Sequence, residues 1–147
     1  MTKAESYRLL IADVYELAGL SRRSSEQTAA EHGQTVARWH LMSVLSDQPH
    51  TVPAIARRLG LVRQSVQRVA DELVAEGMVE RVENPDHLRS PMHALTNAGR
   101  ETLRAIIADS DADRAERLNG AGVTIADLDH ARDTLRKLLA VLERSSV

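Results

Sequence analysis

The sequence predicts a mainly α-helical fold with a small β wing, in which a winged helix-turn-helix lobe carries long helices at both ends. Three observations predict it. Residues 52–71 have the apolar spacing of two short helices that cross through a turn, and two short extended segments follow Gly77. Long amphipathic stretches begin and end the chain. Since 147 residues suit one domain, we expect a single domain over 1–147, with the winged lobe at about 34–103 and terminal helices at about 1–32 and 104–147.

Composition places the chain among soluble proteins without disulfides. Hydrophobic residues make up 43% and charged residues 27% of the sequence, but aromatic residues only 2%, so the core must consist mainly of Leu, Val, Ile and Ala. The sequence contains no Cys, which excludes a disulfide framework and a thiolate metal site. No run of about 18 apolar residues occurs, and the N-terminus has no apolar signal core. We therefore expect a cytoplasmic protein with no membrane partner.

The first third of the chain predicts two helices. Apolar residues recur at helical spacing over about 3–30, although Gly19 and the polar stretch at 21–27 are expected to bend or interrupt this helix. Thr35 then has the position of an N-cap for a second helix, which carries Trp39 and ends before Asp47.

Residues 52–71 predict two helices joined by a tight turn. Thr51 can cap the first of them, and Pro53 suits its first turn, where a missing N–H costs nothing. Gly60 supplies permissive backbone at the bend, while the small Ala56 lets the helices approach closely. The apolar positions that we expect to face inward are Ile55, Leu59, Leu61, Val66 and Val69.

The outward side chains of the second of these helices indicate binding to DNA. They are Arg63, Gln64, Gln67 and Arg68. Arg and Gln can make bidentate hydrogen bonds to guanine and adenine edges in a major groove. Although the net charge of the chain is −2, residues 51–70 include four Arg and no Asp or Glu, whereas acidic residues crowd 109–116. This basic face on an acidic body predicts local attraction of phosphates.

A wing and two further helices are predicted after the turn motif. Gly77 has the position of a helix C-terminal glycine, and segments 78–83 and 91–95 have the short, roughly alternating pattern of two strands. Thr96 is expected to cap a long helix. The glycines at 120 and 122 break it, and Thr124-x-x-Asp127 is a capping-box-like start for the last helix.

Several motifs occur together and in a fixed order. They comprise Thr35-x-x-x-Trp39, Ile55-Ala56-x-x-Leu59-Gly60-Leu61, Arg63-Gln64-Ser65-Val66-Gln67-Arg68, Leu73-x-x-x-Gly77-x-Val79-x-Arg81, Asn84-Pro85 with Arg89, and Leu95-Thr96-x-x-Gly99. In this order the chain resembles the MarR family of winged-helix transcription regulators over nearly its whole length. The resemblance implies a homodimer built from the first and last helices, recognition helices in successive major grooves of double-stranded DNA, and wings in the flanking minor grooves.

The resemblance also implies roles for individual residues. The DNA-binding positions are Arg57, Arg63, Gln64, Ser65, Gln67, Arg68 and, in the wing, Arg89. The dimerisation positions are Leu10, Val14, Leu128, Leu135, Leu138 and Leu142. Their apolar stripes need a covering surface, for which we favour a second copy over the alternative that the two stripes cover each other within one chain. We expect an inverted-repeat operator, because a two-fold dimer matches such a repeat. We expect a repressor, because occupying such a site over a promoter needs no contact with the polymerase.

Two positions depart from the family pattern. At the wing tip, His87 stands where an acidic residue usually supports the Arg that enters the minor groove, and Leu88 stands where a second basic residue is common. Asp86 is the candidate substitute for that support, and Arg89 is the expected minor-groove residue. Val62 stands where Ser or Thr commonly caps the recognition helix, so a DNA phosphate is the candidate to complete the exposed N–H groups.

A small, aromatic ligand that relieves repression is the effector class that the resemblance implies, bound between the dimerisation helices and the winged lobe. The candidate lining residues are Tyr7, Tyr15, Trp39 and His40. For Trp39 a core role is favoured, because the single Trp has a large apolar area to bury. Arg22 and Arg38 are the candidates for binding a ligand carboxylate.

Two alternatives stay open beside this interpretation. The six His suggest a metal-responsive regulator, but no two of them stand one helical turn apart, so we assign no metal site. A winged helix used only for protein contact is the other alternative, and it would leave the outward Arg and Gln without a role. The sequence has no Gly-rich phosphate loop, G-x-S-x-G elbow or H-E-x-x-H motif, so we predict no enzyme activity and no cofactor.

Overall fold

The structure is a computed structural model that describes residues 1–145, and within these residues six helices and one small sheet occur. The helices are α1 (Lys3–Glu31), α2 (Val36–Val44), α3 (Val52–Leu59), α4 (Arg63–Ala75), α5 (Asn97–Asn119) and α6 (Ile125–Ser145). The strands are β1 (His50–Thr51), β2 (Val79–Val82) and β3 (Met92–Leu95). The predicted fold class, mainly α with a small β wing, is confirmed. The chain divides into two compact units, Met1–Ser110 and a second that begins at Asp111.

The first helix is continuous from Lys3 to Glu31, so the expected interruption at Gly19 and 21–27 is wrong. Ser25 and Ala29 are the buried residues of α1, and they lie one turn apart on the same face. Within the helix, the Thr28 hydroxyl donates to the Ser24 carbonyl at 3.3 Å. Burial of this face offsets the weak helix propensity of the serines.

The hydrophobic core lies within the first unit and is almost wholly aliphatic, as the composition predicts. Its largest fully buried apolar side chains are Leu41, Met42, Leu45, Ile55, Val66, Leu73, Val79 and Ile106. Trp39 is 7% exposed and belongs to the same cluster, so its predicted core role is confirmed.

Three antiparallel strands form the sheet in the order β1-β3-β2. The two wing strands confirm the predicted hairpin, with Val79 opposite Leu95. The third strand, β1, was not predicted. It consists of two residues, pairs His50 with His93, and is too short to show any periodicity in the sequence.

The predicted helix caps occur where the sequence places them. The Thr hydroxyls at positions 35, 51 and 96 each accept a backbone N–H three residues further on. At the start of α6, the Thr124 N–H donates to the Asp127 carboxylate at 2.9 Å, and the Asp127 N–H donates to the Thr124 hydroxyl at 3.1 Å. Each cap satisfies N–H groups that the first turn of a helix leaves without a partner.

In the second unit, α6 buries none of its described residues. Leu128, Leu135 and Leu139 are 48%, 37% and 49% exposed. No helix within residues 1–145 combines the length and the apolar character needed to cross a membrane.

Candidate nucleic-acid interface

Gly60 forms the turn between α3 and α4. Its φ of +66° lies in the left-handed region, where a residue with a side chain would be strained. The N–H of Leu61 donates back to the Ala56 carbonyl at 3.0 Å and closes the end of α3. Leu61 itself is 49% exposed, so the expectation that it faces inward is wrong. It lies in the turn outside both helices, and its backbone rather than its side chain joins them.

The inner face of the turn otherwise follows the sequence pattern. Ile55, Val66 and Val69 are buried, and Leu59 is half-buried against the core. Because these buried residues decide which face of α4 packs against the core, the polar side chains on its other face remain exposed to solvent. The exposed residues of its first two turns are Arg63, Gln64, Gln67 and Arg68, and Ser65 is half-buried.

The N-terminus of α4 has no side-chain cap. Val62 occupies the N-cap position with 67% of its surface exposed and makes no capping hydrogen bond. The first N–H groups of a helix carry partial positive charge, so this end of α4 favours an anion.

A cleft of about 360 Å³ lies between α4 and the wing. Its lining residues are Val52, Pro53, Arg63, Gln64, Gln67, Arg89, Ser90, Pro91 and His93. Three of the candidate DNA-binding residues of α4 therefore share one cleft with the wing residue Arg89. The other three candidates lie outside this lining: Arg57 and Arg68 are exposed, and Ser65 is half-buried.

Asn84 holds the tip of the wing together. It is 8% exposed, its Nδ2 donates to the Ser90 carbonyl at 3.0 Å, and its Oδ1 accepts the Asp86 N–H at 3.1 Å. Leu88 is 88% exposed. Among the described residues no carboxylate pairs with Arg89, so Asp86 does not supply the acidic support in the free protein.

Two carboxylates of α4 accept hydrogen bonds from two of its candidate DNA-binding residues. Asp71 Oδ1 accepts a hydrogen bond from Gln67 Nε2 at 2.9 Å and another from Arg81 Nη2 at 2.8 Å. Glu72 Oε1 accepts from Arg68 Nη1 at 3.2 Å. Sequence reasoning missed both acids because they follow the acid-free stretch 51–70, although their spacing of four residues from Gln67 and Arg68 was a usable signal.

A family model and solved structures point to one family. A sequence model of the MarR family matches residues 32–90. The chain is 50% identical over 137 residues to the Uncharacterized protein Rv2011c of Mycobacterium tuberculosis, an alignment that covers 91% of this chain and 92% of the relative. The crystal structure of MarR family transcription regulator SP03579 superposes with a TM-score of 0.78 at 26% identity, covering 97% of this chain and 93% of that one. The chain belongs to the MarR family.

A second solved structure shows the same MarR-family fold. CouR from Rhodococcus jostii RHA1, bound to p-coumaroyl-CoA, has a TM-score of 0.74 at 22% identity, covering 85% of this chain and 87% of CouR. Within this fold α4 is the recognition helix and the β2–β3 hairpin is the wing. This MarR-family protein is a DNA-binding transcriptional regulator.

In this MarR-family chain, Arg38 forms ion pairs with two acidic residues of the recognition helix. Its guanidinium pairs with Glu76 at 2.8 Å and with Glu72 at 3.2 Å. Burial by itself would lower the pKa of Arg38, but the hydrogen bonds that Arg38 donates to Glu76 and Glu72, and their negative charges, outweigh it and the pKa is raised. Arg38 therefore ties α2 to α4, which leaves Arg22 as the freer of the two candidates for a ligand carboxylate.

The candidate effector residues of this MarR-family protein are spread over the core and the surface. Trp39 lies in the core, whereas Tyr7 and Tyr15 on α1 are 37% and 76% exposed. His40 is exposed at the surface of α2, and its pKa is lowered by partial desolvation and by the positive charge of Arg22, against the opposing charge of Glu26. Their role in ligand binding stays a prediction.

His93 is a buried polar residue that sequence reasoning did not single out. It lines the cleft, is 1% exposed, and has no hydrogen-bond partner at either ring nitrogen. Burial lowers its pKa, Arg81 lowers it further, and the charge of Asp71 opposes the shift. Within residues 1–145 no group of three or more His, Asp or Glu side chains is placed to hold a metal ion.

Proposed function

We propose that this protein binds an inverted-repeat operator as a homodimer and represses transcription until a small aromatic ligand releases it. The observation that carries the proposal is the cleft in which Arg63, Gln64 and Gln67 of the recognition helix meet Arg89 of the wing. Arg and Gln suit base edges in a major groove, and Arg also suits the narrow, negative minor groove. One winged lobe can thereby bind two adjacent grooves.

Exposed apolar side chains on α1 and on α6 support the homodimer. On α1, Leu9, Leu17 and Leu20 are 59%, 68% and 52% exposed, and α6 has no buried residue among those described. Large exposed apolar surfaces are uncommon on monomers and mark interaction sites. We assign the dimer interface to Leu10, Val14, Leu128, Leu135, Leu138 and Leu142. A two-fold dimer places its recognition helices about 34 Å apart, which requires an operator with two inverted half-sites.

The aromatic ligand is proposed from a relative. The structure of CouR contains p-coumaroyl-CoA, which carries an aromatic acyl group. Tyr7, Tyr15, Trp39 and His40 remain the candidate lining residues in this chain. A regulator that binds the chromosome and senses such a metabolite would work in the cytoplasm.

DNA binding is tested with fluorescently labelled duplexes that cover the DNA flanking the protein's own coding region. We expect specific binding that weakens as salt rises, because Lys and Arg side chains displace counterions from phosphates. At fixed salt, Arg68→Ala should lose at least about 1 kcal/mol, or roughly fivefold in Kd. Arg104→Ala is the matched control, since Arg104 is an exposed Arg on α5 outside the proposed interface.

Three results would count against the proposal in different ways. Unchanged affinity in Arg68→Ala would remove Arg68 from the interface. Binding with no salt dependence, or none at all, would contradict the DNA-binding role and favour a winged helix used only for protein contact. Unaltered operator affinity in the presence of p-coumaroyl-CoA and free aromatic acids would contradict the proposed ligand class.

A further inference from the structure

We infer that Asp71 sets the orientation of the Gln67 side-chain amide, so that its carbonyl oxygen is the group left to meet DNA and Gln67 selects a base that carries an amino group. The inference rests on the proposed function, since it requires α4 in a major groove. It makes Asp71 a positioning residue for base recognition, and Gln67 the residue that contacts the base.

The orientation follows from the hydrogen bond between these two side chains. A free Gln amide can rotate to present either its oxygen or its nitrogen. An ionised carboxylate only accepts hydrogen bonds, so the group that faces Asp71 Oδ1 at 2.9 Å must be Nε2 of Gln67. Hydrogen bonds from Gln67 and Arg81 lower the pKa of Asp71, which keeps its carboxyl ionised.

Asp71 is itself held by the wing sheet. Arg81 on β2 donates to the same Oδ1 atom at 2.8 Å and forms an ion pair with it. Because Arg81 holds the Asp71 carboxylate in place, the carboxylate does not rotate to follow a rotation of the Gln67 amide. The orientation exists before DNA arrives, which reduces the entropy lost when the side chain is immobilised on a base.

The free carbonyl oxygen has defined partners in a major groove. Adenine presents an N6 amino donor and cytosine an N4 amino donor, whereas guanine and thymine present acceptors at O6, N7 and O4. Gln67 Oε1 can accept from either amino group. The second hydrogen on Nε2 stays available for N7 of adenine, so we expect adenine to be the preferred base and cytosine the second choice.

The neighbouring carboxylate provides a matched control. Glu72 holds Arg68 at 3.2 Å with the same spacing of four residues, and it is likewise held from the body of the protein, by Arg38. A guanidinium has only donors, so Glu72 cannot select between a donor and an acceptor in Arg68. Removing the Glu72 charge can change affinity, but it gives Gln67 no new orientation.

The experiment selects duplexes from a randomised pool with the full-length protein and then measures Kd by fluorescence anisotropy. The position read by Gln67 is the base pair at which Gln67→Ala abolishes discrimination. There we expect the wild type to prefer adenine or cytosine over guanine and thymine by about fivefold or more. Asp71→Ala, which removes the acceptor for Gln67 Nε2, should reduce this preference to about twofold or less. Glu72→Ala, the matched control, should shift Kd for all four bases alike.

Each remaining outcome is decisive. An undiminished preference in Asp71→Ala, or a wild type that binds its selected duplex without discriminating at any base pair that depends on Gln67, overturns the role of Asp71 while leaving DNA binding intact. A wild type that enriches no duplex contradicts the proposed function and the inference with it. Thermal unfolding shows whether Asp71→Ala is folded, and if it is not, Asp71→Leu, which also lacks an acceptor, is measured in its place and is expected to lose the same preference.

Discussion

Gly99 lies in the first turn of α5 with no room for a side chain. A Cβ atom at this position would stand 2.1 Å from the Met78 carbonyl oxygen and 3.0 Å from a methyl carbon of Leu95. The same carbonyl accepts the Thr96 N–H at 3.1 Å. Gly99→Ala must therefore push α5 away from the segment between α4 and β2 by at least about 1 Å, because unbonded carbon and oxygen do not approach below about 3 Å.

The cost of this substitution can be estimated from three contributions. Overpacking against backbone costs about 1–3 kcal/mol, and weakening the Thr96 hydrogen bond costs about 1 kcal/mol. The higher helix propensity of Ala returns up to about 1 kcal/mol. We expect Gly99→Ala to lower the free energy of unfolding by about 2 kcal/mol, which for a chain of this size corresponds to roughly 4–8 °C in Tm.

The assay is thermal unfolding followed by circular dichroism at one fixed protein concentration, since self-association makes Tm depend on concentration. Gly19→Ala is the control, because Gly19 lies inside α1 and a Cβ there would meet nothing within 4 Å. It should stabilise the protein by about 0.5–1 kcal/mol. Equal gains in stability from both substitutions would refute the steric argument for Gly99.

Three further predictions concern pH, the recognition helix and assembly. Because burial and then the charge of Arg81 hold the pKa of His93 below 6.5, the unfolded chain binds this proton more readily, so stability is full above about pH 6.5 and falls as the pH drops through the folded-state pKa. In urea unfolding, His93→Met should lose less free energy of unfolding between pH 7.5 and pH 5.5 than the wild type does. An unchanged loss contradicts the assignment of this pH dependence to His93. Val62→Ser should add about 1 kcal/mol in the same assay by capping α4, whereas Val62→Ala serves as the uncapped comparison and should not match that gain. Leu135→Glu should sediment as a monomer at concentrations where the wild type and Lys137→Glu, which changes the opposite face of α6, are dimers, and a monomeric wild type would rule out the homodimer.

The parts of the fold that were predictable depend on near neighbours in sequence. Thr35 caps α2, Gly60 turns the chain, and Val62 leaves α4 uncapped, each as predicted. These features follow from bonds between residues a few positions apart, so residue type and spacing suffice. The predicted break in α1 failed because the burial of Ser25 and Ala29, a tertiary effect, outweighs a local propensity.

The sequence by itself determined that α4 carries its Arg and Gln side chains outward, because the spacing of apolar residues decides which face of a helix is buried. Only the tertiary structure decided what those side chains meet. Arg89 lines the same cleft as Gln67 because the wing lies beside α4. Asp71 is held in place because Arg81, on β2, donates a hydrogen bond to it. Contacts between residues far apart in the chain depend on how separate elements pack, and no local spacing encodes them.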